Sequence, residues 1–332
     1  MATLGTSYLN LADRMKRTEN GEMASTVIEM MNETNVIMQD ANVIECNDGS
    51  NHITTIRTGL PTAIFRRLYG FVPPSKSTTA QVKDPTGMLE TYSVVDKDLV
   101  DKAPNPKLFR LSESQAFIEA MNQGMQTEFF YGNTDTQPEG FDGLAVRYGA
   151  KSDDKKNIGY NIIDAGGSGS DNTSIWFVCW GDQHVSTTYP QGSKAGIQHS
   201  DDGVQTETDN NGGKRKVYQD HYKMDCGVTV KDWRSTCRIA NIDVSNLDEA
   251  ESAADLLDLM RKAYYRVKRY ATGGKLVIYC NTNVLEHFDA QVDNKQNIHF
   301  SYQEYLGEKT LAYKGIPIRE CDQILDTESR VV

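Results

Sequence analysis

Residues 112–132 read SESQAFIEAMNQGMQTEFFYG and carry the strongest helical pattern in the chain. Their large apolar residues recur on one side of a helix: Phe117, Ile118, Met121, Met125, Phe129 and Phe130. A stripe of this period predicts an amphipathic helix of about five turns. Ser112 with Gln115 matches a capping box, and Gly132 stands where a left-handed C-terminal cap belongs. We therefore predict a long helix over residues 112–131, on which the rest of the chain is organised.

Length and charge limit the possible classes of protein. The chain has 332 residues, 38% of them hydrophobic, and a net charge of −11. It is long enough for two ordinary domains or one large one, and its composition supports a packed core. The acidic balance argues against a protein whose main task is to grip phosphates, which needs clustered Lys and Arg, but it allows the chain to enclose nucleic acid without holding it tightly.

Two further expectations concern location and the chain ends. The apolar runs are too short for a membrane span, and the first ten residues lack the blocks of a signal peptide, so we expect no membrane contact and synthesis in the cytoplasm. We also expect the chain to keep its start at Met1, with no segment removed and both ends tied down.

The N-terminal region contains two short helical patterns, at residues 7–17 and 22–39, with five methionines between Met15 and Met38. Methionine suits surfaces that adapt to more than one packing environment, although ordinary core contacts explain the pattern equally well. Helices this short cannot bury their apolar faces alone. They need the rest of the protein or a neighbouring copy.

The composition changes between Ile53 and Val100 to extended segments broken by prolines. Ile53–Thr58 is typical of a strand, Asp84–Gly87 of a turn, and Met88–Val95 of a returning strand. Such a hairpin has too little apolar content to pack alone, so the pattern favours an arm on a neighbouring subunit over a mobile surface loop. The candidate inter-subunit contacts are basic: Arg57, Arg66 and Arg67 in the arm, and Arg14 and Arg17 in the N-terminal segment.

A β-rich block follows the helix. Ile158–Asp164 and Thr173–Cys179 predict two strands joined by the glycine-rich hairpin loop Ala165–Asn172, which lacks the third glycine of a dinucleotide fingerprint. Asp201–Lys216 is polar and rich in Gly, Asn and Asp, which predicts a surface loop. Gly227–Val244 predicts a long strand or a pair of strands.

The C-terminal third predicts a second strong helix, capped by Ser245 or Asn246 and ended by Gly273 and Gly274. Three elements then follow: the buried strand Lys275–Cys280, a helix capped by Asn283, and a closing hairpin that turns at Lys314–Gly315.

No pattern in the chain marks a chemical site. The six cysteines are scattered without a CxxC pair, which is typical of buried small hydrophobes, and the six histidines belong to no HExxH or similar motif. The acidic loop does not have the spacing of an EF-hand. We expect no catalytic residue, no cofactor and no metal site. An unrecognised soluble β-rich enzyme is the least favoured alternative.

Several segments, in this order, resemble one family: ETNVIMQDANVIECNDG, RTGLPTAIFRRLYGFVPPSKS, FFYGNTDTQPEGFDGLAVRY, TYPQGSKAGI, VKDWRSTCRIANID and LAYKGIPIRECDQIL. Together they resemble the major capsid proteins of short-tailed double-stranded-DNA bacteriophages, including the Bordetella phage type. The resemblance implies an α+β chain with the Hong Kong 97-like capsid fold, made of an N-terminal arm, an extended β-hairpin loop, a peripheral domain and an axial domain.

The resemblance also implies a domain map: arm 1–50, extended loop 51–103, peripheral domain 104–150 and 216–245 with the spine helix 112–131, and axial domain 151–215 and 246–332. The long peripheral strands come earlier than in the usual order, which implies permuted connectivity. Some relatives carry a lysine–asparagine crosslink, but no local motif transfers it, so we expect noncovalent locking.

The function implied is assembly of pentamers and hexamers into an icosahedral shell around double-stranded DNA. The implied partners are further copies of the chain, a portal, and scaffold and cement proteins, and the implied location is the virion after assembly in the host cytoplasm. An encapsulin-type nanocompartment shell, which shares the fold, is the alternative.

Overall fold

The structure is a computed structural model that describes residues 18–19, 22–23, 36–208, 212–247, 255–292, 300–305 and 308–332. The chain divides into two compact units. The small unit takes its described residues from Met1–Asn35, Met88–Gln126 and Lys194–Cys226, and the large unit from Val36–Gly87, Thr127–Ser193 and Gly227–Val332. The four-part domain map given above stays a prediction.

The elements are numbered in chain order. The α-helices of the described residues are α1 Val36–Asp40, α2 Lys97–Asp101, α3 Pro106–Tyr131, α4 Leu144–Arg147, α5 Leu256–Val267 and α6 Thr282–Val292. The first strands are β1 Thr18–Glu19, β2 Glu22–Met23, β3 Val43–Glu45, β4 Asn51–Gly59, β5 Thr78–Asp96, β6 Ile162–Asp164, β7 Asn172–Trp180 and β8 Val185–Tyr189. The later strands are β9 Ile197–Thr208, β10 Lys214–Val230, β11 Cys237–Asp243, β12 Lys275–Cys280, β13 Phe300–Tyr305, β14 Glu308–Tyr313 and β15 Ile316–Glu320.

The long helix exists, but its predicted start is wrong. Helix α3 begins at Pro106, six residues before the predicted capping box, so Ser112 lies inside the helix. The amide of Leu108 donates to the side-chain oxygen of Asn105 at 3.2 Å. Asn at the cap followed by Pro in the first turn is the favoured way to begin a helix, because the proline nitrogen needs no partner there.

The predicted end of α3 is right in position and wrong in cause. Gly132 does not have the positive φ that a left-handed cap requires. A Cβ at this position would lie 2.4 Å from the carbonyl oxygen of Phe141 and 2.6 Å from that of Glu128. Glycine is needed because two backbone segments approach closely.

The predicted apolar stripe of α3 is buried at Met121, Met125, Phe129 and Phe130, while Phe117 and Ile118 are half-buried.

The small unit has its own core and a long hairpin. Val95, Leu99, Val100 and Phe109 form the core, with Ala103 beside them. Strand β9 pairs antiparallel with β10 from Ile197↔Met224 to Thr208↔Lys214. The predicted surface loop at 201–216 is therefore wrong. Most side chains of β9 are exposed on both faces, so the sequence shows no apolar alternation that would indicate a strand.

The large unit is built on a mixed sheet in which β13, β14, β15, β12, β7 and β8 lie side by side. Strand β7 is buried along its whole length. Its first half pairs with β11, and β11 also pairs in parallel with β6. The predicted β6–β7 hairpin is therefore wrong, because β11 lies between the two strands. The expected strand pair at Gly227–Val244 is confirmed as the end of β10 followed by β11.

Helices α5 and α6 cover the core of this sheet, and the two caps predicted for them are wrong. The amide of Asp258 donates to the Asp255 side chain at 3.0 Å at the start of α5, while Ser245 and Asn246 lie in a turn held by Asp243. The amide of Asn283 donates to the side chain of Asn281 at 3.0 Å. The cap of α5 therefore lies nine or ten residues after the predicted position, and that of α6 two residues before it.

Two predicted elements of the sheet are confirmed. Strand β12 has the predicted bounds, Lys275–Cys280. The closing hairpin β14–β15 turns at Lys314 and Gly315, with φ values of +50° and +83°. Two successive positive φ angles are those of a type I′ turn, whose twist matches that of the flanking strands.

The N-terminal predictions are only partly covered. The helical pattern at 7–17, with Arg14 and Arg17, lies outside the described residues. Within the helical pattern predicted at 22–39, the structure describes one helix, α1. Its last residue, Asp40, is buried and lies 3.0 Å from both the Lys275 Nζ and the Tyr279 hydroxyl. These contacts tie the chain at α1 to the sheet of the large unit.

Candidate assembly surface

A long hairpin, here called the arm, is formed by residues 51–85. Strand β4 pairs antiparallel with β5 from Asn51↔Pro85 to Gly59↔Thr78, and residues 60–77 form the tip between them. The predicted turn at Asp84–Gly87 is wrong, since β5 runs straight through it to Asp96. A Cβ on Gly87 would lie 3.1 Å from the Glu139 carbonyl oxygen, so the turn-like composition serves a close backbone approach.

The tip carries large apolar side chains that the chain itself does not cover: Leu60, Ile64, Phe65, Leu68, Tyr69, Phe71 and Val72. Phe65, Tyr69 and Phe71 are each at least 97% exposed, so three aromatic rings lie in water in the single chain. A contiguous apolar patch of this kind marks an interaction surface, because a monomeric protein rarely leaves one exposed.

The tip has a defined backbone turn. The amide of Gly70 donates to the Arg67 carbonyl at 3.0 Å, and Tyr69 has a φ of +64°. A bulky residue with positive φ is strained, and such conformations are found where contacts elsewhere compensate for the strain. The hydroxyl of Ser75 donates to the Thr62 carbonyl at 3.1 Å across the tip. The tip therefore has a defined backbone turn and a hydrogen bond between its two sides.

The arm is basic in an acidic chain. Residues 51–83 contain five cations (Arg57, Arg66, Arg67, Lys76 and Lys83) and no Asp or Glu. The net charge is −11, so with +5 in residues 51–83 the rest of the chain carries −16. The predicted contact residues Arg57, Arg66 and Arg67 are all exposed. None of the three has a carboxylate within ion-pair distance in the part of the chain that the structure describes.

A buried ion pair fixes the root of the arm. Arg147 Nη1 lies 2.8 Å from Asp84 Oδ1, with the two side chains 14% and 3% exposed. The hydroxyl of Thr229 donates to Asp84 Oδ2 at 2.7 Å, and Arg147 Nη2 donates to the Val228 carbonyl at 3.1 Å. Sequence reasoning missed this site because Asp84 matched a turn signal and its partner lies 63 residues away.

His52 lies opposite Asp84 in the β4–β5 register and is itself buried. Burial lowers the pKa of His52 below its ordinary value of 6.5, and the positive charge of Lys231 lowers it further, while Asp84 acts in the opposite direction. Desolvation disfavours the protonated imidazole, so folding of the root favours the neutral form of His52.

A second buried ion pair holds the C-terminal segment. Arg238 Nη2 lies 2.8 Å from Glu328 Oε2, and each side chain is 4% exposed. Arg238 also donates to the Ser174 hydroxyl at 3.0 Å and to the Tyr148 carbonyl at 2.9 Å. The hydroxyl of Tyr131 donates to Glu328, and burial together with that carboxylate raises the pKa of Tyr131. Buried charges of this kind persist only when paired and hydrogen-bonded, as they are here.

The structure offers little for chemistry. All six cysteines are free and buried, and burial raises the pKa of the Cys179 thiol to about 11 and that of Cys237 to about 12. Such thiols are poor nucleophiles because the reactive thiolate is scarce. Across the described ranges, no three His, Cys, Asp or Glu side chains converge as a metal site. The helices within those ranges include none with the length and apolarity to cross a membrane.

These features define a class of protein. The large unit is a mixed sheet covered by helices, and the protruding arm presents basic and apolar groups that the chain itself leaves uncovered. Such a subunit is built to join others in a shell.

The comparisons identify the family. The family model "Major capsid protein GP7" matches residues 18–332. The solved structure of bacteriophage Epsilon15 is 37% identical, with a TM-score of 0.78 over 100% of this chain and 99% of that chain. The chain therefore belongs to the major capsid protein GP7 family. No curated protein sequence matches it.

More distant structures support the fold alone. The capsid of bacteriophage JBD30 is 8% identical, with a TM-score of 0.52 over 95% of this chain and 99% of that chain. An encapsulin from Synechococcus elongatus is 10% identical with a TM-score of 0.43, over 71% of this chain and 96% of that chain, which is too low to carry an argument. The predicted Hong Kong 97-like capsid fold is confirmed. The protein is a structural shell protein of a phage virion and assembles with copies of itself.

Proposed function

We propose that this chain forms the pentamers and hexamers of an icosahedral shell that encloses the double-stranded DNA of a short-tailed bacteriophage. Shell rings close because each subunit uses two different surfaces around a rotation axis. Assembly takes place in the cytoplasm of the bacterial host, with a portal at one vertex and scaffold and cement proteins as further partners. Family membership supports the shell, and the acidic balance of the chain suits a wall that does not adsorb DNA strongly overall.

The arm carries the inter-subunit part of this proposal. Its tip buries Phe65, Tyr69 and Phe71 against a neighbouring copy, which removes the three rings from water. Burial of one such ring contributes roughly 1.5–3 kcal/mol. Arg57, Arg66 and Arg67 then meet carboxylates of that copy, which carries −16 outside its own residues 51–83. Arg14 and Arg17 are the corresponding candidates in the N-terminal segment.

Many weak contacts act together in a shell. An exposed ion pair contributes little by itself, typically below about 1 kcal/mol. The same contact repeated around every ring is multivalent, so the shell is far more stable than any single arm contact. A change in the exposed side chains of the arm should therefore act on assembly and leave the fold of the single chain intact.

The test is assembly of the full chain, followed by negative-stain electron microscopy and size-exclusion chromatography. We expect closed shells from the parent chain and free subunits or open rings from Arg66→Glu with Arg67→Glu. The matched control is Lys155→Glu with Lys156→Glu, two exposed lysines outside the arm. Shells that form equally well from both double variants would refute the role of the arm cations. A parent chain that stays a small species at high concentration would refute the shell itself.

A further inference from the structure

Residues 261–275, RKAYYRVKRYATGGK, contain six cations and no carboxylate. They cover the second half of α5 and the turn that leads into β12. In a chain with a net charge of −11, this concentration of positive charge needs a reason. The three tyrosines among these cations suggest that the cations are positioned and not only solvated.

The cations of this region lie against tyrosine rings. Lys314 Nζ, from the β14–β15 turn, lies 4.9 Å from the centroid of the Tyr264 ring and 5.2 Å from that of Tyr265. Lys268 Nζ lies 5.2 Å from the Tyr264 ring. Arg269 Cζ lies 5.8 Å from the Tyr270 ring. Cation–π contacts at these distances hold a charge in place without neutralising it.

Other cations nearby are already satisfied. Lys262 Nζ lies 2.7 Å from Asp258, which also pairs with Arg261. Arg234 pairs with Asp232 at 2.8 Å. Arg266 donates to backbone carbonyls. Some or all of the donors of these groups are therefore already engaged within the chain.

Three cations differ from these. Lys268, Arg269 and Lys314 have no carboxylate within 4 Å among the described residues. Lys268 and Arg269 are exposed and Lys314 is half-buried, so their donors reach solvent. We call these three residues, with the rings of Tyr264, Tyr265 and Tyr270, the basic tyrosine patch. It is a positioned set of free charges.

The chemistry of the patch selects its partner. A rigid row of phosphates satisfies several fixed cations at once and releases the counterions condensed on it. Single strands bind largely by stacking bases on open aromatic faces. In the patch, Lys314 lies against the rings of both Tyr264 and Tyr265, which leaves fewer ring faces for bases and favours phosphate contacts over base stacking.

We propose that Lys268, Arg269 and Lys314 bind the phosphate backbone of double-stranded DNA. This inference rests on the proposed function, since it assigns to one surface the contact between the shell and its DNA. It also refines that function: the chain as a whole repels DNA, and a single patch per subunit touches it. Binding by one subunit is weak, and the repeated patches of a shell act in parallel.

The test uses the full chain, purified before assembly, and a mixed-sequence duplex oligonucleotide followed by fluorescence anisotropy from 50 to 200 mM salt. The patch variant is Lys268→Gln, Arg269→Gln and Lys314→Gln. The control variant is Lys107→Gln, Lys155→Gln and Lys156→Gln, which removes three exposed lysines and gives the same net charge. We expect the patch variant to lose about tenfold or more in affinity. The slope of log affinity against log salt should become shallower by about 2.7, at roughly 0.9 per phosphate contact. The control should stay within about twofold of the parent.

Equal losses in the two variants would show an effect of net charge only and overturn the inference, as would a parent chain that does not bind the duplex. Loss of binding to poly-glutamate in the patch variant, with duplex binding unchanged, would assign the patch to an acidic polypeptide instead. Electron microscopy of the same chains after assembly separates the two proposals. If shells form but the patch variant binds the duplex as tightly as the parent does, only the assignment of the patch is refuted. A parent that forms no shells refutes the proposed function.

Discussion

Arg147 Nη1 lies 2.8 Å from Asp84 Oδ1 at the root of the arm, and the two side chains are 14% and 3% exposed. The acid belongs to β5, whose neighbouring residues form the arm, while the guanidinium belongs to the short helix α4. Thr229 completes the site from β10. One carboxylate therefore joins the arm to two further segments of the large unit.

Asp84→Ala should destabilise the chain by about 3–5 kcal/mol, because it leaves the Arg147 charge buried without a counter-charge. The measurement is urea denaturation of the full chain. The control is Asp48→Ala, which removes a carboxylate 3.4 Å from Lys83, in a pair whose side chains are 50% and 58% exposed. That exposed pair should contribute below about 1 kcal/mol. Equal losses for the two variants would contradict a special role of the root.

His52 should make the stability of this root depend on pH. Its folded pKa lies below its ordinary value of 6.5, because burial disfavours the charged ring. As the pH falls below 6.5 the unfolded chain takes up the proton first, so the contribution is complete above that pH and is lost as the pH falls through the folded pKa.

Denaturation midpoints of the parent and of His52→Gln, measured from pH 8 to pH 5, test this dependence. The parent should lose more stability than the variant on acidification, and the two curves should run parallel above pH 7. Parallel curves over the whole range would show that His52 does not titrate differently in the two states.

Phe65→Ala with Phe71→Ala should abolish shell assembly and leave the stability of the single chain unchanged. Both rings are fully exposed in that chain, so their removal takes away no internal contact. The control is Leu111→Ala with Leu325→Ala, which are 57% and 44% exposed outside the arm. Sedimentation and electron microscopy report assembly, and urea denaturation reports the fold. A tip variant that still closes shells would remove the apolar tip from the interface.

Local signals in the sequence were enough for some elements. The strand Lys275–Cys280 is a short apolar run between turn residues, and Lys314–Gly315 is a turn dipeptide between two strands, so both were predicted. The existence of a hairpin in this region also followed, from extended segments broken by prolines. Its turn did not, because Gly87 serves a close approach to a segment distant in sequence rather than a turn.

Other features depend on long-range contacts that one sequence does not reveal. Strand β9 is polar on both faces, so it has no apolar alternation. The β6–β7 prediction failed because β11, more than 50 residues later, lies between the two strands. The site residues divide in the same way. Arg57, Arg66 and Arg67 can be found from the sequence because they are cations in a stretch without acids. Nothing in the sequence near Asp84 indicates that Arg147 is its partner.

The buried pair of Arg238 and Glu328 gives the last prediction, because these residues are 90 positions apart and both are almost fully buried. Glu328→Ala leaves a buried guanidinium above the Trp176 ring with only neutral partners, and should cost about 3–5 kcal/mol. Removing the second charge as well, in Arg238→Met with Glu328→Ala, should cost less than Glu328→Ala alone, since no uncompensated charge remains. Urea denaturation of these two variants and of Arg238→Met gives the free energies of unfolding for a double-mutant cycle. The cycle measures the coupling energy between the two charges. Strictly additive losses would mean that the two charges do not depend on each other, and that the C-terminal segment is held by its backbone contacts to Asn172 and Asn241 instead.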